Sequence, residues 1–220
     1  MVELAPSILS CDFSNLQGDL EQTKDTDLKM IHIDVMDGIF VPNISFGFKV
    51  ISDIRGKNDY FFDTHAMIEE PIKYIEDFKK AGVDRLTVHY EACKNLDETI
   101  KAIKNAGMEV GLTFKPATDI SLIVPYLDKV DLILVMSVEP GFGGQTFMED
   151  SIDKIKFFRN YIDKNNLDVK LQVDGGIKTT NVDKVIDAGA DIIVSGSDVF
   201  GKDIKNQIYK YYEIFKQKSL

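Results

Sequence analysis

Eight short runs rich in β-branched and other apolar residues recur along this chain, and they constrain its fold more than any other feature. They are Leu4–Leu9, Met30–Met36, Tyr60–Met67, Arg85–Glu91, Glu109–Lys115, Leu132–Val138, Val169–Asp174 and Ile192–Ser197. Successive runs begin roughly 25 residues apart, and most are followed by a stretch with helical spacing. Leu96, Ile100 and Ile103 form one such stripe, and Ile152, Ile155, Phe158 and Ile162 another; Ile204, Ile208, Tyr211 and Phe215 form the last. Each stripe is the apolar face of a helix that packs on a sheet. The joints Ala81-Gly82-Val83-Asp84, Ala106-Gly107-Met108-Glu109 and Ala188-Gly189-Ala190-Asp191 end a helix just before a strand. Glycine there supplies the left-handed residue that stops a helix. Strands alternating with helices at this spacing are parallel βαβ units. Eight units close a (β/α)8 TIM barrel, and 220 residues suit the compact end of that α/β fold. A doubly wound open sheet is the competing architecture. Strand count and even spacing favour the barrel, as a single domain over residues 1–220.

Charge and cysteine usage narrow the function classes. A net charge of −10 argues against a general nucleic-acid or anionic-membrane surface. It leaves an anionic substrate open, because backbone N–H groups can hold a phosphate locally. No apolar run approaches the ~20 residues of a membrane helix. Met1–Pro6 lacks the basic start and long apolar stretch of a signal peptide. Two cysteines, Cys11 and Cys93, are too few for a disulfide framework, and the expected setting is a reducing cytoplasm.

In a barrel the active site lies at the C-terminal strand ends. In Ile31-His32-Ile33-Asp34-Val35-Met36 the period of two puts His32, Asp34 and Met36 on one face. The outer face of a barrel strand meets helices and takes the Ile and Val, so the polar set points inward. Asp63, His65 and Met67 repeat this pattern, and Gln172 and Asp174 share a face just before Gly175-Gly176. A lone inward histidine reads as a hydrogen-bonded core residue. Two of them beside two aspartates read differently, because unpaired buried carboxylates are expensive and a divalent metal holds them ionised. His32, Asp34, His65 and Asp174 offer two nitrogens and two oxygens, a set that suits Zn²⁺ or Fe²⁺ better than Mg²⁺, with Mn²⁺ and Co²⁺ also compatible. His89, read as lying mid-strand, is expected to be structural.

Glycine marks the other strand tops. Glu139-Pro140-Gly141-Phe142-Gly143-Gly144-Gln145 follows the sixth strand and matches neither a P-loop nor a dinucleotide fingerprint. With Gly175-Gly176 after the seventh strand and Ser195-Gly196-Ser197 ending the eighth, it forms three adjacent turns where backbone N–H groups can approach an anion. A phosphate cradle is the expectation. Met36, Met67 and Met136 fall at inward positions near strand tops, where soft apolar groups would cap a pocket and exclude water.

Taken in order, these motifs resemble ribulose-phosphate 3-epimerases. The resembling segments are Ala5–Ser10, His32–Gly38, Phe40–Asn43, Asp63–Met67, Val88–Glu91, Met136–Gln145, Val173–Ile177 and Ser195–Ser197, and they span nearly the whole chain. The resemblance implies a ribulose-phosphate-binding barrel that inverts carbon 3 of a ketose phosphate with one divalent metal. It implies His32, Asp34, His65 and Asp174 as metal ligands, and Asp34 and Asp174 as the acid/base pair. Ser7 and His65 would contact the sugar. Gly141, Phe142, Gly143, Gly144, Gly175, Gly176, Gly196 and Ser197 would surround the phosphate. One aspartate would take the C3 proton, giving an enediolate, and the other would return a proton to the opposite face. The expected partner is a small ketose phosphate, and a homo-oligomer is compatible with the fold.

Four positions depart from the family pattern: Ile39 for His, Ala66 for Leu, and Lys115 and Glu139 each for Asn. They are expected to line the pocket rim, where they would bear on D-ribulose 5-phosphate against D-allulose 6-phosphate. Lys115 and Glu139, on neighbouring strand tops, are expected to form an ion pair there. A lysine at a strand end also raises a Schiff-base aldolase as a rival class.

Overall fold

Each β-branched run becomes a strand of one parallel sheet in the computed structural model, which describes residues 2–218. The order is β1 (Glu3–Pro6), α1 (Leu16–Glu21), β2 (Met30–Met36), α2 (Phe48–Arg55), β3 (Phe61–Met67), α3 (Ile75–Ala81), β4 (Arg85–His89), α4 (Leu96–Asn105) and β5 (Glu109–Phe114). It continues with β6 (Leu132–Met136), α5 (Ser151–Lys164), β7 (Lys170–Asp174), α6 (Val182–Asp187), β8 (Ile192–Ser195), α7 (Ser197–Phe200) and α8 (Ile204–Lys218). Neighbours in the sheet follow chain order, and β8 returns to pair with β1. A single parallel bridge between Ser7 and His32 joins β1 to β2, so the sheet closes as a barrel rather than remaining an open wound sheet. Between β5 and β6 two 3-10 turns, Ile120–Leu122 and Val124–Lys129, replace an α-helix. Ile123 and Leu127, four residues apart, are both fully buried there and cover the sheet as a helix would.

Period-two alternation sorts the strand residues as expected. Ile31, Ile33, Phe62, Leu86, Val88, Leu112, Ile133 and Val173 face outward into the layer shared with the helices. Inside the barrel, Leu132, Leu134, Met136, Ile192 and Val194 make an apolar half. The half beneath β2, β3 and β4 is polar and equally dry: Asp63 and His32 are completely buried, as is Gln172, which reaches Asp63 from β7. Gly111 provides close approach there, since a Cβ would stand 2.0 Å from Thr87 Oγ1.

The helix-ending glycines are in the left-handed region, at φ +93° for Gly82, +73° for Gly107 and +107° for Gly189. Two of these joints carry an aspartate that serves the neighbouring strand, and Asp131 repeats the device before β6. Asp84 Oδ2 accepts from Phe62 N–H at 2.7 Å, Asp131 Oδ2 from Val110 N–H at 2.7 Å and Asp191 Oδ2 from Leu171 N–H at 2.8 Å. Each ties the start of one strand to the next strand at the N-terminal end of the barrel. Replacing Asp131 by Ala strands the N–H of the fully buried Val110, which should cost about 1–3 kcal/mol. Urea-unfolding midpoints check this; a change below a few tenths of a kcal/mol would mean that water replaces the carboxylate.

Candidate active site

The parallel register of β2 and β3 sets His32 beside Asp63 and Asp34 beside His65. With inward faces fixed by alternation, this makes two layers of ionisable groups. In the lower layer, His32 Nδ1 lies 2.8 Å from Asp63 Oδ2, which also accepts from Gln172 Nε2 at 2.6 Å. Arg85 lies 3.4 Å from the other Asp63 oxygen. Burial opposes the Asp63 charge, but His32, Arg85 and Gln172 outweigh it and hold the carboxyl down at about 2. An ionised Asp63 is an acceptor only, so His32 Nδ1 donates to it, and His32 Nε2 is buried without a hydrogen-bond partner.

That nitrogen points into the upper layer. It lies 3.4 Å from Asp34 Oδ1 and 4.0 Å from Asp174 Oδ2. His65 Nδ1 lies 3.2 Å and 4.0 Å from the same two oxygens. One donor atom from each of His32, Asp34, His65 and Asp174 falls within 4.8 Å of every other. Ser7, at the end of β1, donates its hydroxyl to Asp34 Oδ2 at 2.6 Å and fixes that carboxylate from the far side. The two carboxyls live in different surroundings. Burial works against the Asp34 charge, yet His32 and His65 hold its carboxyl well below the usual range. Burial, and then the Asp34 charge, push Asp174 up to about 6. His32 is raised in spite of its burial, by Asp34 and Asp63. The cluster therefore calls for positive charge at its centre. A proton on His32 meets that demand, and so does a divalent cation held by two nitrogens and two oxygens. The residues present fit a metal ion.

Above the cluster opens a narrow pocket with a cavity volume of about 60 Å³. Asp34 and Asp174 form part of its floor, and Met36, Met67 and Met136 line it. Gly141, Phe142, Gly143, Gly144, Gly175, Gly176, Gly196 and Ser197 all contribute to its walls, as does Ser7. Gly176 has φ +62°, and a Cβ there would stand 2.4 Å from Phe147 N, so the turn admits no side chain. Asn43 Nδ2 donates to Gly141 O at 2.8 Å and ties the glycine loop to the segment after β2. His32 and His65 have no exposed surface and sit below the floor rather than in the walls.

Several expectations need correction. His89 ends β4 instead of lying mid-strand, and its Nε2 meets His65 Nε2 at 2.8 Å. Lys115 and Glu139 form no ion pair among the described residues. The Lys115 ammonium instead stands 4.4 Å over the Phe40 ring, which competes well because Lys stems pack on apolar surface while the charge stays wet. Of the four departures from the family pattern only Glu139 lines the pocket. Ala66 faces the helix layer, as its place between His65 and Met67 requires, and Ile39 is exposed on the loop after β2. One group was not anticipated: Asp198, in the first turn of α7, is buried and accepts from Thr179 N–H, Gln207 Nε2 and Tyr211 OH. It anchors α7 to α8 behind the pocket wall. A charged residue in an amphipathic stretch carries no sequence mark of such burial.

Fold and cluster together define a (β/α)8 barrel with, among the described residues, one candidate metal centre, at the C-terminal strand ends. Residues 3–200 match the ribulose-phosphate 3 epimerase family, and the chain belongs to that family. It is 44% identical over 203 residues to the ribulose-phosphate 3-epimerase of Bacillus subtilis (strain 168), covering 92% of this chain and 94% of that one. It is 40% identical over 198 residues to the enzyme of the same name from Escherichia coli (strain K12), covering 90% and 88%. Among solved structures, 3-keto-L-gulonate-6-phosphate decarboxylase from Vibrio cholerae O1 biovar El Tor str. N16961 shares the fold at TM-score 0.69 and 14% identity, covering 99% of this chain and 97% of that one. The 3-hexulose-6-phosphate synthase of Salmonella typhimurium does so at TM-score 0.68 and 18% identity, covering 99% of each chain.

Protons and metal compete for the same cluster, and this has a sign. Asp174 is protonated in the metal-free protein below about pH 6, and a ligand must be deprotonated. Zinc affinity should therefore fall by at least about tenfold from pH 7 to pH 5. Competition titrations against a chelator of known pH dependence measure it. An affinity constant across that range would remove Asp174 from the ligand set.

Proposed function

We propose that this protein is a metal-dependent isomerase that inverts C3 of a ketose phosphate, converting D-ribulose 5-phosphate to D-xylulose 5-phosphate. The observation that carries the reading is the two-histidine, two-aspartate cluster on the floor of a pocket walled by glycine turns. The names of the curated relatives support the substrate. His32, Asp34, His65 and Asp174 would hold the cation, with Zn²⁺ or Fe²⁺ favoured by the mixed nitrogen and oxygen donors. When bound, such an ion supplies Lewis-acid stabilisation of negative charge developing on the substrate's C2 oxygen.

The chain's own residues carry the proton transfers. Inversion requires one base and one acid on opposite sides of C3, and Asp34 and Asp174 take these roles. Their unlike surroundings suit one carboxylate and one carboxylic acid. Ser7 keeps the Asp34 carboxyl oriented through its hydroxyl. Met36, Met67 and Met136 exclude water from the carbanionic carbon. The phosphate fits where the glycine turns meet the first turn of α7, at Gly196 and Ser197, since opening N–H groups of a helix have no partner within it. The cytoplasmic setting agrees with two free cysteines. D-allulose 6-phosphate, one carbon longer, is the second substrate candidate, because Glu139 stands in the pocket wall where the family pattern has Asn. A Schiff base at Lys115 is disfavoured, because its ammonium packs on Phe40 and the residue is not part of the pocket wall.

Turnover of ribulose 5-phosphate in D₂O should place deuterium at C3 of the product, read by NMR. Asp174→Asn should lower turnover by about 10²–10⁴-fold, since Asn neither accepts nor donates this proton. Epimerisation that leaves C3 undeuterated, or full activity in Asp174→Asn, would overturn the two-carboxylate mechanism. Independently, His65→Ala removes a nitrogen ligand and should weaken zinc binding by at least about tenfold, measured by calorimetry.

A further inference from the structure

A chain of buried polar contacts leads away from the cluster at His65. Its Nε2 lies 2.8 Å from His89 Nε2, with the two rings tilted by 30° and their centroids 5.0 Å apart. Both residues are fully buried. Only one proton fits between two nitrogens at that distance. On its other side, the buried His89 Nδ1 has no hydrogen-bond partner and faces Glu91 Oε2 at 3.5 Å, the nearest acceptor for a proton there. The Glu91 carboxylate is itself oriented. Its Oε1 accepts from Lys115 N–H at 2.8 Å and from the Thr118 hydroxyl, which leaves Oε2 for His89. Phe40 covers the His89 ring at 4.7 Å between centroids.

We propose that Glu91 and His89 are positioning residues that decide which nitrogen of His65 carries its proton, leaving Nδ1 bare to bind a divalent cation. This rests on the reading of His65 as a ligand. The logic is a matter of counting donors. An ionised carboxylate can only accept, so the His89 proton belongs on Nδ1, toward Glu91. His89 Nε2 is then a lone pair and can only accept from His65 Nε2–H. A neutral His65 protonated at Nε2 has its lone pair on Nδ1, the atom that faces Asp34 and Asp174. The reverse arrangement sets the bare His89 Nδ1 against carboxylate lone pairs and puts the proton on His65 Nδ1, where it bonds Asp34 Oδ1 at 3.2 Å and stands where the cation would sit. His32 reaches the same end directly, by donating Nδ1–H to Asp63. The two nitrogen ligands are thus prepared by two different acceptors, one adjacent and one relayed through a second ring.

The relay makes an unusual forecast for an isosteric change. In Glu91→Gln the Lys115 N–H and the Thr118 hydroxyl claim the amide oxygen, so the NH₂ group faces His89. A donor there favours the reversed tautomers and blocks His65 Nδ1. In Glu91→Ala, water can occupy the space and accept from His89 Nδ1–H. The Gln variant should therefore lose at least about tenfold in zinc affinity and the Ala variant less. A carboxylate that only filled space or braced the loop would give the opposite ranking. Because His32, His65 and His89 are the only histidines in the chain, ¹⁵N-histidine spectra of the zinc-loaded protein can be assigned ring by ring. The expected result is His65 protonated at Nε2 and His89 at Nδ1. Zinc uptake by the wild-type chain with His89 protonated at Nε2, or an Ala variant weakened as much as the Gln variant, would overturn the relay alone. Failure of the wild-type chain to take up zinc would overturn the ligand reading and the relay with it. Should either variant fail to fold, the wild-type spectrum decides.

Discussion

Asp34 is the group on which the rest of the site depends. A carboxylate inside a barrel loses nearly all its hydration, and it persists only if the protein returns hydrogen bonds or positive charge. The Ser7 hydroxyl donates to it, and His32 Nε2 and His65 Nδ1 stand 3.4 and 3.2 Å from its other oxygen, where a proton or a cation shared with them supplies the positive charge; the three come from three adjacent strands. That requirement explains why the polar half of the barrel is layered. Asp63 has to orient His32, and Gln172 and Arg85 have to hold Asp63, so each buried group is supported by the one beneath it. The apolar half, from Leu132 to Val194, needs no such support and packs by volume alone.

The pocket wall obeys a different constraint. Its glycines contribute backbone rather than side chains, and Gly176 has no room for a Cβ. Such a wall is only as rigid as what lies behind it. Asn43 holds the Gly141 carbonyl, and Asp198 joins α7 to α8 through Gln207 and Tyr211. Buried, multiply bonded supports of this kind fix a backbone cradle without intruding on it.

Much of this was legible in the residues. Strict alternation over Ile31–Met36 and Phe61–Met67 identifies the inward faces, and the helix-ending glycines mark the joints. The same alternation places Ala66 outward, although its position in the family motif had suggested the rim. Lys115 and Glu139 misled for a related reason: occupying neighbouring strand tops says nothing about where long side chains go. The Lys115 ammonium found the Phe40 ring instead. The bonds from the aspartates at the strand starts to neighbouring strands carry no local signature.

The sequence by itself determined the number of strands, the side of the sheet each residue faces and the glycine turns at three adjacent strand tops. These follow from local sterics and the period of two, and need no knowledge of the partner. Only the tertiary structure decided that His89 reaches His65, that Gln172 reaches Asp63 across the barrel, and that β1 closes on β2 through Ser7 and His32. Those meetings depend on the height and angle at which each strand enters the closed barrel. Strand tilt and register around the whole ring set that geometry, and no single segment encodes it.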